Sequence, residues 1–298
     1  RSTPSNSSAA SDVYKRQGSK FGLWPQGFKI PDFGELPLGI NQKILWVYWS
    51  DLISRLSMIG KLDSVVLVGD LIDGKGKRSE GVEQIITDPL TQARAAVELF
   101  KPLRKLCDKM FIIRGTVYHD QVGGRATEYI GEQLNAEKNE EDGTHSWWEL
   151  TLDLGNEHHA HVAHHGGHPY VYRSTVAERE GFFMSISADK FDLPSGKNWN
   201  LIVRAHTHFF IHVEHPTLHI VYLPAWQLKT PYMIRKGPGR LIPNIGAALV
   251  IVKDEEEKEI YEQDPVMVYK LTYKHPRPPK HRAYKAYEGE KNAERNPP

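Results

Sequence analysis

Ser64-Val65-Val66-Leu67-Val68-Gly69-Asp70-Leu71-Ile72-Asp73-Gly74, residues 64–74, is the segment on which the architecture turns. Its first five residues form a short β-branched and aliphatic run, the mark of a buried strand. The run stops at Gly69-Asp70, and a second acid, Asp73, follows before Gly74. Loops just past the C-terminal ends of strands are where α/β proteins gather their chemistry.

On the N-terminal side, residues 42–59 carry Ile44, Leu45, Tyr48, Leu52 and Leu56 at helical spacing, with Gly60 as a stop. On the C-terminal side, residues 74–88 are polar and glycine-containing and read as a loop. Pro89 then opens a helix to about Leu106, with Ala93, Ala96, Val97, Phe100 and Leu103 as its buried positions. Pro102 should kink that helix or split off its last turn. A second short strand, 110–113, ends in Arg114-Gly115, and 125–135 looks helical. The pattern then changes. Strands are expected at 147–154 and 159–163, joined by Gly155-Asn156-Glu157, followed by a helix within 173–190. Three more strands follow quickly, at 200–205, 209–213 and 218–223, with turns near His215-Pro216; 247–252 and 266–272 supply two others. Strand–helix alternation followed by a strand-rich half implies a mixed α/β sandwich.

Composition bounds the function. The chain has 298 residues, with 38 basic and 37 acidic side chains, so bulk charge does not mark it as a nucleic-acid binder. Nothing approaches 18 consecutive apolar residues, which argues against a membrane partner. The lone Cys107 excludes a disulfide framework and a cysteine-cluster metal site, so any metal must be held by nitrogen and oxygen. Absence of a secretory signal and of disulfides fits a cytoplasmic protein. Residues 1–17 are polar and serine-rich, and SDVYKRQ resembles translated sequencing-adaptor sequence, so this stretch reads as a non-native or disordered leader. From Lys274 the chain is rich in Pro, Lys and Arg and reads as a flexible, solvated tail. Residues 18–273 contain no repeat and no linker and read as one domain.

Histidine is the unusual residue: of 15, 11 lie between His158 and His219. Several of them fall at strand ends, as do Asp70, Asp73 and Asp120. The first strand ends in Gly69-Asp70-Leu71-Ile72-Asp73-Gly74 and the second in Gly115-Thr116-Val117-Tyr118-His119-Asp120. The third ends in His164-His165-Gly166-Gly167 and the fourth in Ala205-His206-Thr207-His208. Carboxylate and imidazole suit zinc, iron and manganese. Two histidines at i and i+2 around a turn can point at two ions, and a carboxylate can bridge a pair. Each piece alone also has a plain reading: a polar loop, two histidines on one face of a strand, a turn, a hydrogen-bonded core histidine. The order and strand-end placement of all four together are what carry weight.

In that order the motifs resemble the calcineurin-like metallophosphoesterases, over roughly residues 18–272. The resemblance implies a four-layer αββα sandwich with mixed sheets and a pair of divalent metal ions, Mn, Fe or Zn, at the strand ends. It implies that Asp70 bridges both ions, that Asp73 supports a ligand, and that His206 holds one ion and His208 the other. One of His164 and His165 is the ligand between; alternation puts them on opposite sides of a strand. The chain departs from the family pattern twice. Thr116 stands where a metal-binding Asn is usual, and His119 comes two residues late, so His119 is either a ligand or the proton donor to the leaving group. No Asp-x-His precedes Asp70, and that missing strand falls where the non-native leader is suspected.

The activity implied is hydrolysis of phosphate mono- or diesters by a metal-bound hydroxide, with His119 protonating the leaving alkoxide and the activity of this chain impaired by the missing strand. Two alternatives stand beside it. One is a nuclease on DNA or RNA, with Lys75, Lys77 and Arg78 flanking the Asp70 loop and Trp147, Trp148 and Tyr118 available to stack on bases. The other is a catalytically inactive binding module of the same fold. The sequence leaves oligomeric state open.

Overall fold

A computed structural model of the chain describes residues 17–76, 79–120, 124–167, 172–191, 193, 198–237, 242–253 and 265–276. Most of the suspected leader, most of the basic tail, and Lys77 and Arg78 lie outside the described residues.

The chain opens with a two-residue pair, β1 (Lys29–Ile30) and β2 (Gly34–Glu35), before α1 (Ile40–Ile59). β3 (Leu62–Val68) leads through the Asp70 loop to α2 (Pro89–Leu106) and β4 (Cys107–Ile113), the latter parallel to β3. The short α3 (Val117–Asp120) and α4 (Arg125–Leu134) follow, then the hairpin β5 (Glu149–Gly155) and β6 (His158–Ala163). α5 (Arg173–Ile186) is succeeded by β7 (Leu201–Arg204), β8 (Ile211–His215), β9 (Leu218–Tyr222) and α6 (Pro231–Lys236). β10 (Ile245–Val252) and β11 (Val266–Tyr273) close the described fold as an antiparallel pair.

Three apolar clusters define four layers. Alternate residues of β3, β4 and β10, among them Val65, Leu67, Met110, Ile112, Ala247 and Leu249, pack against Leu45, Trp49, Leu52 and Leu56 of α1, Phe100 and Leu103 of α2 and Ile130 of α4. The intervening residues Val66, Val68, Phe111, Ile113, Ala248 and Val250 turn the other way. They meet Leu150, Ala160, Val162, Leu201, Val203 and Val221 of the second sheet. That sheet is mixed, ordered β5-β6-β7-β9-β8, with β6, β7 and β9 parallel. Its outer face, through Ile202, Ile220 and Tyr222, buries Val176, Ala177 and Met184 of α5. Period-two alternation on strands buried on both sides thus yields a four-layer αββα sandwich.

The first sheet layer is divided. β3–β4 and β10–β11 line the same two cores, yet among the described residues neither pair is hydrogen-bonded to the other. Gln17 joins this layer as a parallel bridge to Ile72: its N–H donates to the Leu71 carbonyl and its carbonyl accepts from the Asp73 N–H.

Several expectations shift in detail. α1 buries Trp49, while Ile44 and Tyr48 are half-buried, and Tyr48 stacks on Tyr273 with ring centroids 4.8 Å apart. α2 continues through Pro102 to Leu106, so its last turn is not split off; Phe100 and Leu103 on either side are fully buried and hold it against the sheet.

Candidate metal centre

Four strand ends converge. β3 and β4 end side by side in parallel register, Val68 opposite Ile113, and deliver Asp70 and Thr116 from one sheet. β6 and β7 end likewise, Ala163 opposite Arg204, and deliver His164 and His206 from the other; the Ala205 N–H donates to the His164 carbonyl. One ligand atom each of Asp70, His164 and His206 lies within 4.8 Å of the other two.

The backbone at this site is unusual. Asp70, His206 and His208 have φ of 47°, 64° and 63°, in the left-handed region that non-glycine residues seldom occupy. Such conformations cost free energy and persist where the surroundings impose them, often at functional sites. Two glycines let the strand ends approach. A Cβ on Gly69 would strike the His164 ring, and one on Gly115 would strike the backbone nitrogen and Oδ1 of Asp70.

Each side chain is held. Asp70 is fully buried; its Oδ1 accepts from the Thr116 N–H at 2.6 Å and from the Thr116 hydroxyl at 2.9 Å. Its Oδ2 lies 3.5 Å from His164 Nε2 and 3.9 Å from His119 Nε2. His164 Nδ1 is 2.8 Å from the Val68 carbonyl, which can only accept, so Nδ1 carries a proton and Nε2 is the nitrogen that faces Asp70. Burial pushes the His164 pKa down, but the Asp70 charge, the bonds to Asp70 and Val68, and Asp120 outweigh it and leave the pKa raised. His165 is exposed at the rim, its ring 5.0 Å from those of both His164 and His206.

His119 is buried, with Nδ1 2.9 Å from the Asp73 carbonyl, so its Nε2 is the nitrogen directed at Asp70. The Asp73 carboxylate accepts from Gln84 Nε2 at 2.8 Å. His208 is buried, its carbonyl accepting from the Asn244 N–H; its ring, like that of His119, is not in the Asp70–His164–His206 cluster. Asp120, given no role in the sequence reading, is buried and receives the Gly115 N–H. Burial, then the neighbouring Asp70 charge, raises its pKa to about 7. Its adjacency to His119 was the one available signal.

The donor set fits a divalent cation. One carboxylate and two imidazoles are the ligand types of zinc, iron and manganese sites, and the fixed Nδ1 proton on His164 orients the nitrogen that would bind. Of the aromatic residues weighed for base stacking, Trp147 packs on Phe111 in the inter-sheet core, whereas Trp148 is exposed beside the Arg114 guanidinium. Among the described residues, no helix is long and apolar enough to cross a membrane.

No family model matches the chain, and no curated protein matches it. Among solved structures it is similar to Vps29 from Chaetomium thermophilum at 15% identity, covering 91% of this chain and 98% of that one, with a TM-score of 0.38. It is similar to wild-type Vps29 complexed with Zn+2 from Entamoeba histolytica at 11% identity, covering 89% and 99%, with a TM-score of 0.38. A third likeness is to a novel archaeal phosphodiesterase at 11% identity, covering 76% and 93%, with a TM-score of 0.36. The sandwich architecture stands on the strand pairing and packing of this chain itself.

Proposed function

We propose that residues 18–273 form one metal-dependent phosphoesterase domain in which Asp70, His164 and His206 hold a divalent ion. The observation that carries this reading is the convergence of those three side chains from two sheets, within 4.8 Å of one another. When bound, the ion supplies Lewis acidity toward a phosphoryl oxygen. Val68 fixes the tautomer of His164, and Thr116 fixes the rotation of the Asp70 carboxylate. His119, anchored through Nδ1 to the Asp73 carbonyl, has Nε2 as the position at which it gives a proton to a departing alkoxide. His165, whose ring lies beside those of His164 and His206, and His208, two residues on from His206, are the nitrogen ligands in reserve for a second ion.

The test is metal content followed by turnover. The purified chain, loaded with manganese or zinc, should retain the ion through gel filtration. Asp70→Asn, His164→Ala and His206→Ala should each lose one bound ion per chain relative to wild type. Assays with small phosphate monoesters, diesters and oligonucleotides then separate a general phosphoesterase from a nuclease. A wild-type chain that takes up no divalent ion at this cluster sinks the reading.

One observation favours a second reading, a binding module of the same fold. Asp70 Oδ1 already accepts two hydrogen bonds from Thr116, which leaves Oδ2 as the oxygen facing the histidines. Retained metal with no hydrolysis of any of the three substrate classes is the outcome that reading expects.

A further inference from the structure

Away from the Asp70 cluster, the β8–β9 hairpin carries another group of ligand-type side chains. His212 and Glu214 are two apart on β8, so they share a face of the strand. His219 on β9 is the cross-strand partner of Glu214, which puts all three on one patch. The patch lies on the inner face of the sheet: Ile211, Val213 and Ile220 point the other way, toward α5, and His219 sits beside Leu201 of the inter-sheet core. His212 Nε2 and His219 Nδ1 are 2.8 Å apart, with the rings stacked at 5.1 Å and 20°. One ligand atom from each of the three residues lies within 4.8 Å of the others.

We propose that His212, Glu214 and His219 form a second zinc site, independent of the function argued for the Asp70 cluster. Two imidazoles and a carboxylate are a donor set that zinc accepts, and three protein ligands leave a coordination position open. Zinc–nitrogen distances near 2.0–2.1 Å with tetrahedral angles put two ligand nitrogens about 3.3 Å apart, so the pair must open by about half an ångström. Exposure is graded from buried His219 through half-buried His212 to exposed Glu214, so the open position faces solvent and an ion can enter. Because β8 is the edge strand of the five-stranded sheet, its side chains can adjust without breaking a ladder on both sides.

The experiment titrates the full chain with zinc alone, in competition with a chromophoric chelator, and with cobalt(II) alone, reading its visible absorption. Wild type and the His206→Asn variant, in which the replacement tolerates the left-handed backbone, are compared with His212→Ala and Glu214→Gln made in each. The His206→Asn chain should still bind one zinc. His212→Ala should weaken that binding by more than the roughly 10–100-fold caused by disturbing a ligand's own partner. Glu214→Gln, at an exposed position that does not threaten folding, should weaken it measurably as well. Cobalt bands assigned to this zinc should vanish in His212→Ala. A His206→Asn chain without zinc, or zinc binding indifferent to both hairpin substitutions, overturns the proposal.

Discussion

Gly69 shows how much one residue controls at the candidate centre. Its φ of 72° is left-handed, and a methyl group there would collide with the His164 ring. Gly69→Ala should cost roughly 1–2 kcal/mol from the backbone and roughly 1–3 kcal/mol from overpacking. Urea unfolding should register that loss, and zinc uptake at the Asp70 cluster should fall with it; unchanged stability would contradict the contact. His161 is a histidine of the opposite kind. It packs between Phe191 and Trp199, and burial, then the nearby Arg204 charge, lowers its pKa to about 3. The unfolded chain takes up this proton near pH 6.5, whereas the folded chain resists it until far lower. Stability from this residue is therefore full above about pH 6.5 and is lost as the pH falls toward about 3, a loss of about 2 kcal/mol by pH 5. His161→Asn should flatten the fall in unfolding free energy between pH 7 and pH 5, whatever its cost at pH 7. An unchanged slope would show that another group is responsible.

At the scale of elements, α2 is the piece most fully written in local sequence. Asp88 accepts from the Thr91 N–H at 2.8 Å, Pro89 occupies the first helical position, and the stripe Ala93, Ala96, Val97, Phe100 and Leu103 is buried. Asp88→Ala should cost about 1 kcal/mol through the lost cap. Leu103→Ala, at a fully buried site, should cost about 2–5 kcal/mol. Denaturant midpoints of the two variants check that order, and a cap variant costing more than the core variant would reverse it. The strands were legible for a similar reason, because short aliphatic and β-branched runs broken by glycine, proline or polar residues mark them. The elements that escaped were short: β1, β2, α3 and α6 span two to six residues and carry too little periodicity to register. Trp49 replaced Tyr48 in the core because the face of α1 is set by how the helix lies on β3 and β10, which local spacing leaves free by one residue.

Over the whole molecule, the metal reading predicts linkage between ion and fold. An ion that binds only the folded chain stabilises it by about 2.7 kcal/mol at a free concentration 100-fold above its Kd. Thermal unfolding with added zinc should therefore rise by several degrees. The rise should shrink in His206→Asn and shrink further when His212→Ala is added, since the two clusters share no residue and their contributions should add. A shift that survives in the double variant would place the stabilising zinc elsewhere. The residue types at the four strand ends, the helices and most strands, and a layered α/β class were all readable from the chain, because burial periodicity and turn chemistry act over a few neighbouring residues. Folding in space settled other matters: that His164 is buried against Asp70 while His165 lies at the rim, that Thr116 and His119 both turn toward one carboxylate, and that His212 meets His219 across a hairpin. Those contacts join residues up to 136 positions apart in the Asp70–His206 case. Their distances follow from strand register and from how two sheets stack, which no local pattern encodes.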